Sequence, residues 1–257
     1  MNKNGKSTQI SKTTVTLSVI LSLLVIVFLA NFVIYPAYKD YRRSHMKIDI
    51  YGGMTNELKD CDLFSDLQSG RSVCFLGDSI TNGTETDGIA WCHPLVPYIT
   101  GPKSNFSRGG WKVKDLLDHV EEIPPAEIYV IAIGINDVLF PGSVQSAYTP
   151  SEFTTRCGQL ADLLLAKAPG AKIYFIAPWT FVDLGDDYLK RGDQFRNYLG
   201  KWCEETGYSF INPDPVIVSV LEKEGSERFM LNEFHSGVPD GVALFSYAVL
   251  KADHDQK

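Results

Sequence analysis

The chain has 257 residues, 44% of them hydrophobic and 21% charged, a composition that supports a sizeable folded core and excludes a disordered chain. Seven of the 24 Lys/Arg but one of the 31 Asp/Glu fall in residues 1–47, leaving 17 basic and 30 acidic residues, a net charge of −13, in the rest. Phosphate contacts require clustered cations, so an acidic remainder is a poor candidate for nucleic-acid binding, and no nucleic-acid partner is expected.

In chain order, residues 1–14 read as a short basic tail and 15–35 as a transmembrane anchor. Val15–Tyr35, VTLSVILSLLVIVFLANFVIY, holds 21 residues with no charged side chain. That is enough helix to cross a hydrocarbon core of ~30 Å. A cleaved signal peptide is the competing reading. Against it, the apolar run exceeds the usual stretch of about 7–15 residues and no small-x-small site closes it. Lys3, Lys6 and Lys12 precede the segment while Lys39, Arg42, Arg43 and Lys47 follow, so charge alone does not orient it. Residues 36–70 are mixed and polar, with Gly52-Gly53 among them, and read as stalk and lead-in. Residues 71–257 read as one folded domain. Five cysteines, Cys61, Cys74, Cys92, Cys157 and Cys203, show no motif spacing and neither require nor exclude an oxidising compartment.

From Arg71 onward strand-length apolar runs alternate with amphipathic helical patterns. Ser72–Leu76 predicts the first strand, and Val113–Val120 a helix. Ile128–Ile133 is a near-continuous apolar run, the pattern of a strand covered on both faces. Phe153, Cys157, Leu160, Leu164 and Leu165 recur at helical spacing and predict a helix over Ser151–Lys167. Lys172–Ala177 predicts a strand, Tyr188–Thr206 a helix capped by Gly207, Tyr208–Ile211 a strand, and Gly241–Lys251 the closing helix. This alternation predicts a three-layer α/β/α domain on a parallel, flavodoxin-like sheet, with ligands bound beyond the carboxyl ends of the strands.

Four short blocks carry the chemistry. In VCFLGDSITNG, Val73 to Gly83, an apolar strand ends on Gly77 and passes at once to Asp78 and Ser79. Alone, Asp-Ser there reads as an ordinary helix cap. A second strand ends in the same manner at Ile133-Gly134-Ile135-Asn136-Asp137, and NFSRGG (Asn105 to Gly110) lies between the two. Asn232-Glu233-Phe234-His235 precedes the last helix.

These blocks, in the order Ser, Gly, Asn, His, resemble those of the SGNH hydrolases, the GDSL-type esterases and lipases, over about residues 71–252. The resemblance implies that Ser79 is the nucleophile and His235 the general base. It implies an oxyanion hole made by the backbone N–H groups of Ser79 and Gly110 and by the side chain of Asn136, with Gly109 the alternative to Gly110. One position departs from the pattern. The family's Asp three residues before the His is Asn232 here, and Glu233 is the nearest acid. An amide oxygen can accept the imidazole N–H but cannot offer imidazolium a full negative charge, which leaves the third member of the site open between Asn232, Glu233 and neither, and reduced activity as one outcome. His93 and His119 read as structural.

Trp111 and Trp179 follow the glycine block and a strand's end, where aromatic rings could stack on sugars as substrate-binding residues. Asn82 and Asn105 match the N-glycosylation pattern. The expectation is a single-pass membrane protein whose extracytoplasmic domain removes an acyl group, such as O-acetyl, from a cell-surface carbohydrate. Acyl transfer to a polysaccharide by the same Ser–His site is the alternative, as is a non-catalytic polysaccharide-binding or assembly protein. No metal-ligand or nucleotide-binding motif is present, so no cofactor is expected.

Overall fold

A computed structural model of the chain describes residues 12–142, 146–147 and 149–257. It divides into two compact units, one ending at Met46 and one spanning Lys47–Lys257.

In the first unit, α1 (Lys12–Leu29) continues through a π-helical turn, Ala30–Ile34, into α2 (Tyr35–His45). Leu17–His45 is one helix of 29 residues with a mean hydropathy of 2.9 in its most apolar window, long and apolar enough to cross a membrane. The helix outlasts the apolar run, because α2 carries Lys39, Arg42 and Arg43 on a continuous helical backbone.

The second unit begins at Lys47, well before the lead-in ends in the sequence-based reading. Ile48 and Ile50 are buried, followed by α3 (Asn56–Lys59) and α4 (Asp62–Leu67), whose Leu58, Leu63, Phe64 and Leu67 enter the core. Thr55 caps α3 by accepting the Leu58 N–H at 3.3 Å, and buried Asp253 accepts the Leu63 N–H at 2.7 Å. Four apolar side chains spaced through a polar stretch are thus enough to tie it to the domain.

The sheet has five parallel strands in the order β2-β1-β3-β4-β5. These are β1 (Val73–Gly77), β2 (Lys103–Ser107), β3 (Ile128–Ala132), β4 (Lys172–Ile176) and β5 (Ser209–Ile211). Every residue of β1 and β3 is buried, and because side chains alternate between faces, both faces are covered. The covering helices are α5 (Ser79–Asn82), α6 (Val113–Asp118), α7 (Ile135–Leu139), α8 (Pro150–Lys167), α9 (Asp186–Thr206), α10 (Asp214–Glu224) and α11 (Asp240–His254). α8 packs against α6 and α9, while α11 packs against α3, α4 and α10. The flavodoxin-like order reverses direction between β1 and β3, which creates the crevice where such sheets bind ligands.

Register makes that crevice. Gly77 pairs with Ser107 on one side and Ala132 on the other, and Ala132 pairs with Ile176. Four strands therefore end level, and the segments after them all leave from one edge.

A chain starting at Lys47 is expected to be soluble and to unfold cooperatively, whereas the full chain stays in the membrane pellet through an alkaline carbonate wash. Release of the full chain by that wash would remove α1 as a membrane span.

Candidate active site

The first turn after β1 is set by a backbone crowding that admits glycine only. A Cβ on Gly77 would lie 2.4 Å from the Ala132 carbonyl oxygen and 2.4 Å from Thr81 Oγ1. Asp78 then caps α5, its Oδ1 accepting the Ile80 N–H at 3.0 Å. Ser79 is the first residue of α5, so its own N–H has no carbonyl of that helix to bind. Its side chain lies in a nearly closed position, 7% exposed.

The loop after β2 is fastened to this turn. Arg108 N–H donates to the Gly77 carbonyl at 3.3 Å, Asn82 Nδ2 to the Ser107 carbonyl at 2.9 Å, and Asn105 Nδ2 to the Thr81 carbonyl at 2.6 Å. The amides of Asn82 and Asn105, read from sequence as glycan acceptors, each donate an internal hydrogen bond. Gly110 follows with φ 78° and an open surface beside it. The next carbonyl, that of Trp111, accepts from Asn136 Nδ2 at 2.9 Å. This bond brings the glycine block to α7, where Asn136 is buried in the first turn. Asn136 has a second amide hydrogen for another acceptor.

His235 arrives on a loop closed on itself. Met230 and Ser236 form an antiparallel bridge, Leu231 N–H donates to the His235 carbonyl at 2.7 Å, and Gly237 N–H to the Phe229 carbonyl at 2.7 Å. Val182 N–H donates to the Glu233 carbonyl at 2.7 Å, joining the loop to the segment after β4. Gly241 lets α11 start against the loop, since a Cβ there would lie 1.8 Å from the Phe229 oxygen. The result places His235 Nε2 2.8 Å from Ser79 Oγ, across 156 residues of sequence.

On the other side of the ring, Nδ1 lies 3.1 Å from Asn232 Oδ1 and 3.0 Å from Asn232 Nδ2. The amide's orientation is fixed independently, because Oδ1 accepts the N–H groups of Phe234 at 3.1 Å and His235 at 2.9 Å. Nδ1 therefore sits between an acceptor and a donor. With its proton on Nδ1, the ring donates to Oδ1 and turns a lone pair on Nε2 toward the Ser79 hydroxyl. With its proton on Nε2, the ring accepts from Nδ2 and has no base to offer Ser79. A carboxylate would favour the first tautomer alone. Glu233 makes no hydrogen bond to the imidazole among the described residues. Burial holds the His235 pKa below its ordinary value, with Glu85 acting in the opposite sense.

The two tryptophans part company. Trp179 is 1% exposed, its ring stacked on Phe245 at 5.0 Å and against Trp91 at 5.3 Å. It is a core residue, which corrects its reading as a sugar platform: a position just past a strand does not fix which way the side chain turns. Trp111 is half-buried, stacked on His119 and tilted against Phe106. From sequence Asp78 reads only as a helix cap and Asp137 only as part of its block; no motif marks the exposed Glu85, which acts on the imidazole because of the turn after α5.

The profile described as the GDSL-like lipase/acylhydrolase family matches residues 75–229. The chain belongs to that family. Its fold is similar to that of the acetylxylan esterase of Geobacillus stearothermophilus, with a TM-score of 0.61 at 21% identity over 73% of this chain and 95% of that one. A catalytic mutant of the same esterase gives 0.62 at 21% identity over 72% and 94%. A GDSL-like lipase from Parabacteroides merdae gives 0.61 at 20% identity over 73% and 97%. A search of the curated proteins finds no match.

Within this GDSL-like chain, one cluster of described residues has the composition of a metal site: Glu57, His254 and Asp255. Lys251 already ion-pairs with Glu57 at 3.0 Å and with Asp255 there.

If the amide of Asn232 orients His235, Asn232→Ala lowers kcat by about ten-fold, and Asn232→Asp raises it by fixing the productive tautomer. The wild-type acid limb of kcat/KM falls below the ordinary imidazole value of 6.5, because burial lowers the pKa and the base stays unprotonated to lower pH. In Asn232→Asp the limb moves upward, since a carboxylate stabilises imidazolium. An unmoved limb would detach residue 232 from the base.

Proposed function

We propose that this protein is a membrane-anchored serine esterase that removes an acyl group, O-acetyl in the first instance, from a carbohydrate at the cell surface. The observation that carries the reading is the 2.8 Å contact between Ser79 Oγ and His235 Nε2 at the switch point of the sheet. A serine hydroxyl is a weak nucleophile until a positioned base takes its proton, and His235 is neutral and placed to do so.

In this mechanism Ser79 Oγ attacks the ester carbonyl as its proton passes to His235 Nε2. The tetrahedral oxyanion takes hydrogen bonds from the N–H groups of Ser79 and Gly110 and from the remaining amide hydrogen of Asn136. His235 returns the proton to the departing sugar oxygen, leaving Ser79 acylated. Water, activated by the same imidazole, then attacks the acyl carbon and releases carboxylic acid and free Ser79. Asn232 supports the imidazolium with a dipole instead of a charge, so each proton transfer is slower than in a Ser-His-Asp site.

The carbohydrate substrate is supported by the likeness in fold to an acetylxylan esterase and by the half-buried Trp111 next to Gly110 in the glycine block. The anchor helix supports a site held at the membrane, and the proposed surface-glycan substrate goes with a domain on the extracytoplasmic side.

The test is acetate release from acetylated xylo-oligosaccharides by the full chain in detergent, with products analysed for both free acetate and re-acetylated sugar. Ser79→Ala is expected to abolish turnover. Asn136→Ala is expected to lower kcat by about 10²–10³-fold with a smaller change in KM, because its donor acts as charge develops. Acetylated sugar as the main product would identify a transferase. Turnover that survives Ser79→Ala would overturn the reading.

A further inference from the structure

Two carboxyl groups lie buried at the switch point and take no part in the steps above. Asp78 precedes the proposed nucleophile and Asp137 follows the proposed oxyanion-hole asparagine; neither has exposed surface. Their surroundings differ. Both oxygens of Asp137 are occupied, Oδ1 by the Ala147 N–H at 2.8 Å and Oδ2 by the Val113 N–H at 3.2 Å. Lys112 and Arg156 act on it as positive charges, and Arg191 donates to its backbone carbonyl at 3.2 Å.

Asp78 has less support. Oδ1 accepts the Ile80 N–H at 3.0 Å, with weaker help from the N–H groups of Asp78 and Thr81, and Oδ2 is buried with no hydrogen-bond partner. The charged group acting on Asp78 from the β3–α7 side is Asp137, of like sign; from the histidine loop, His235 reaches Ser79 next door. α5 has only four residues, too short for a helix dipole to compensate. An unpartnered O–H costs far less to bury than an unpartnered oxygen anion. Of two buried acids, the one with fewer donors holds its proton to higher pH.

We propose that Asp78 is a positioning residue that works as a neutral carboxylic acid: its Oδ1 holds the Ser79 turn while its proton keeps negative charge away from the oxyanion. The proposal rests on the serine-esterase reading. Burial is the main cause that pushes Asp78 up to about 7 and Asp137 up to about 6, and the charge of Asp137 adds to the rise at Asp78. The sign follows. Reactivity rises with pH as His235 loses its proton, then falls as Asp78 loses its own and places an anion beside the developing charge.

Two measurements on the full chain in detergent test this. The first is difference infrared spectroscopy of the wild type and of Asp78→Asn, which keeps a side-chain oxygen for Ile80. The second is the rate at which a fluorophosphonate labels Ser79, followed from about pH 5 to pH 10. The expected result is a protonated-carboxyl band below neutrality that is missing from Asp78→Asn. In the wild type that band should fade over the same pH range in which Ser79 labelling drops by about ten-fold or more, while Asp78→Asn keeps its labelling rate at high pH. Absence of an Asp78-dependent acid band overturns the proposal, and so does a high-pH loss that persists in Asp78→Asn. Failure of the esterase reading looks different: the band is present and Ser79 is unlabelled at every pH, which also overturns the coupling of Asp78 to Ser79.

Discussion

The contact of Gly77 with Ala132 and Thr81 is the constraint on which the site depends. It exists because β1 and β3 end level and because the chain after β1 turns at once into a helix. With no side chain between them, the first turn of α5 settles onto the end of β3 and Ser79 comes to the mouth of the crevice. The loop after β2 then closes against the same turn through Arg108, Asn82 and Asn105. Asn136, held by the carbonyl of Trp111, completes the assembly. A glycine ends the strand where the neighbouring chain comes closer than any Cβ permits.

Electrostatics at this site are arranged with little formal charge. The imidazole has an amide behind it, burial disfavours its protonated form, and the nearest buried acids are themselves pushed toward neutrality. A Ser-His-Asp site stabilises imidazolium with a fixed anion, whereas the proposed mechanism here assigns that task to dipoles and hydrogen bonds. The fork around Nδ1 adds a tautomeric choice that a carboxylate would not leave open. A buried anion behind His235 would bring its own desolvation cost, and Asn232 avoids it.

Much of this was legible in the sequence, for physical reasons that also explain what was not. β1, β3 and β4 stand out because strands covered on both faces are continuous apolar runs. β2, Lys103–Ser107, is an edge strand with exposed Lys103 and Asn105, so it lacks that signature and passes for loop. The lead-in hides Leu58, Leu63, Phe64 and Leu67 among charges, which conceals that it belongs to the folded unit. The three-residue step from Asn232 to His235 is local, and an Asx-type turn is enough to bring the side chains together. Trp179 lies at a position of equal promise and faces the core, since packing against Trp91 and Phe245 is a long-range matter that no short motif records.

The central claim is that Ser79 carries the acyl group between two half-reactions driven by His235. The most direct measurement is rapid acid quench of the full chain during turnover of an acetyl ester, followed by mass mapping of the peptides. The account predicts an acetyl group on Ser79, and no adduct in Ser79→Ala. Continued turnover with acetyl on another residue, or with no adduct at any quench time, would contradict it.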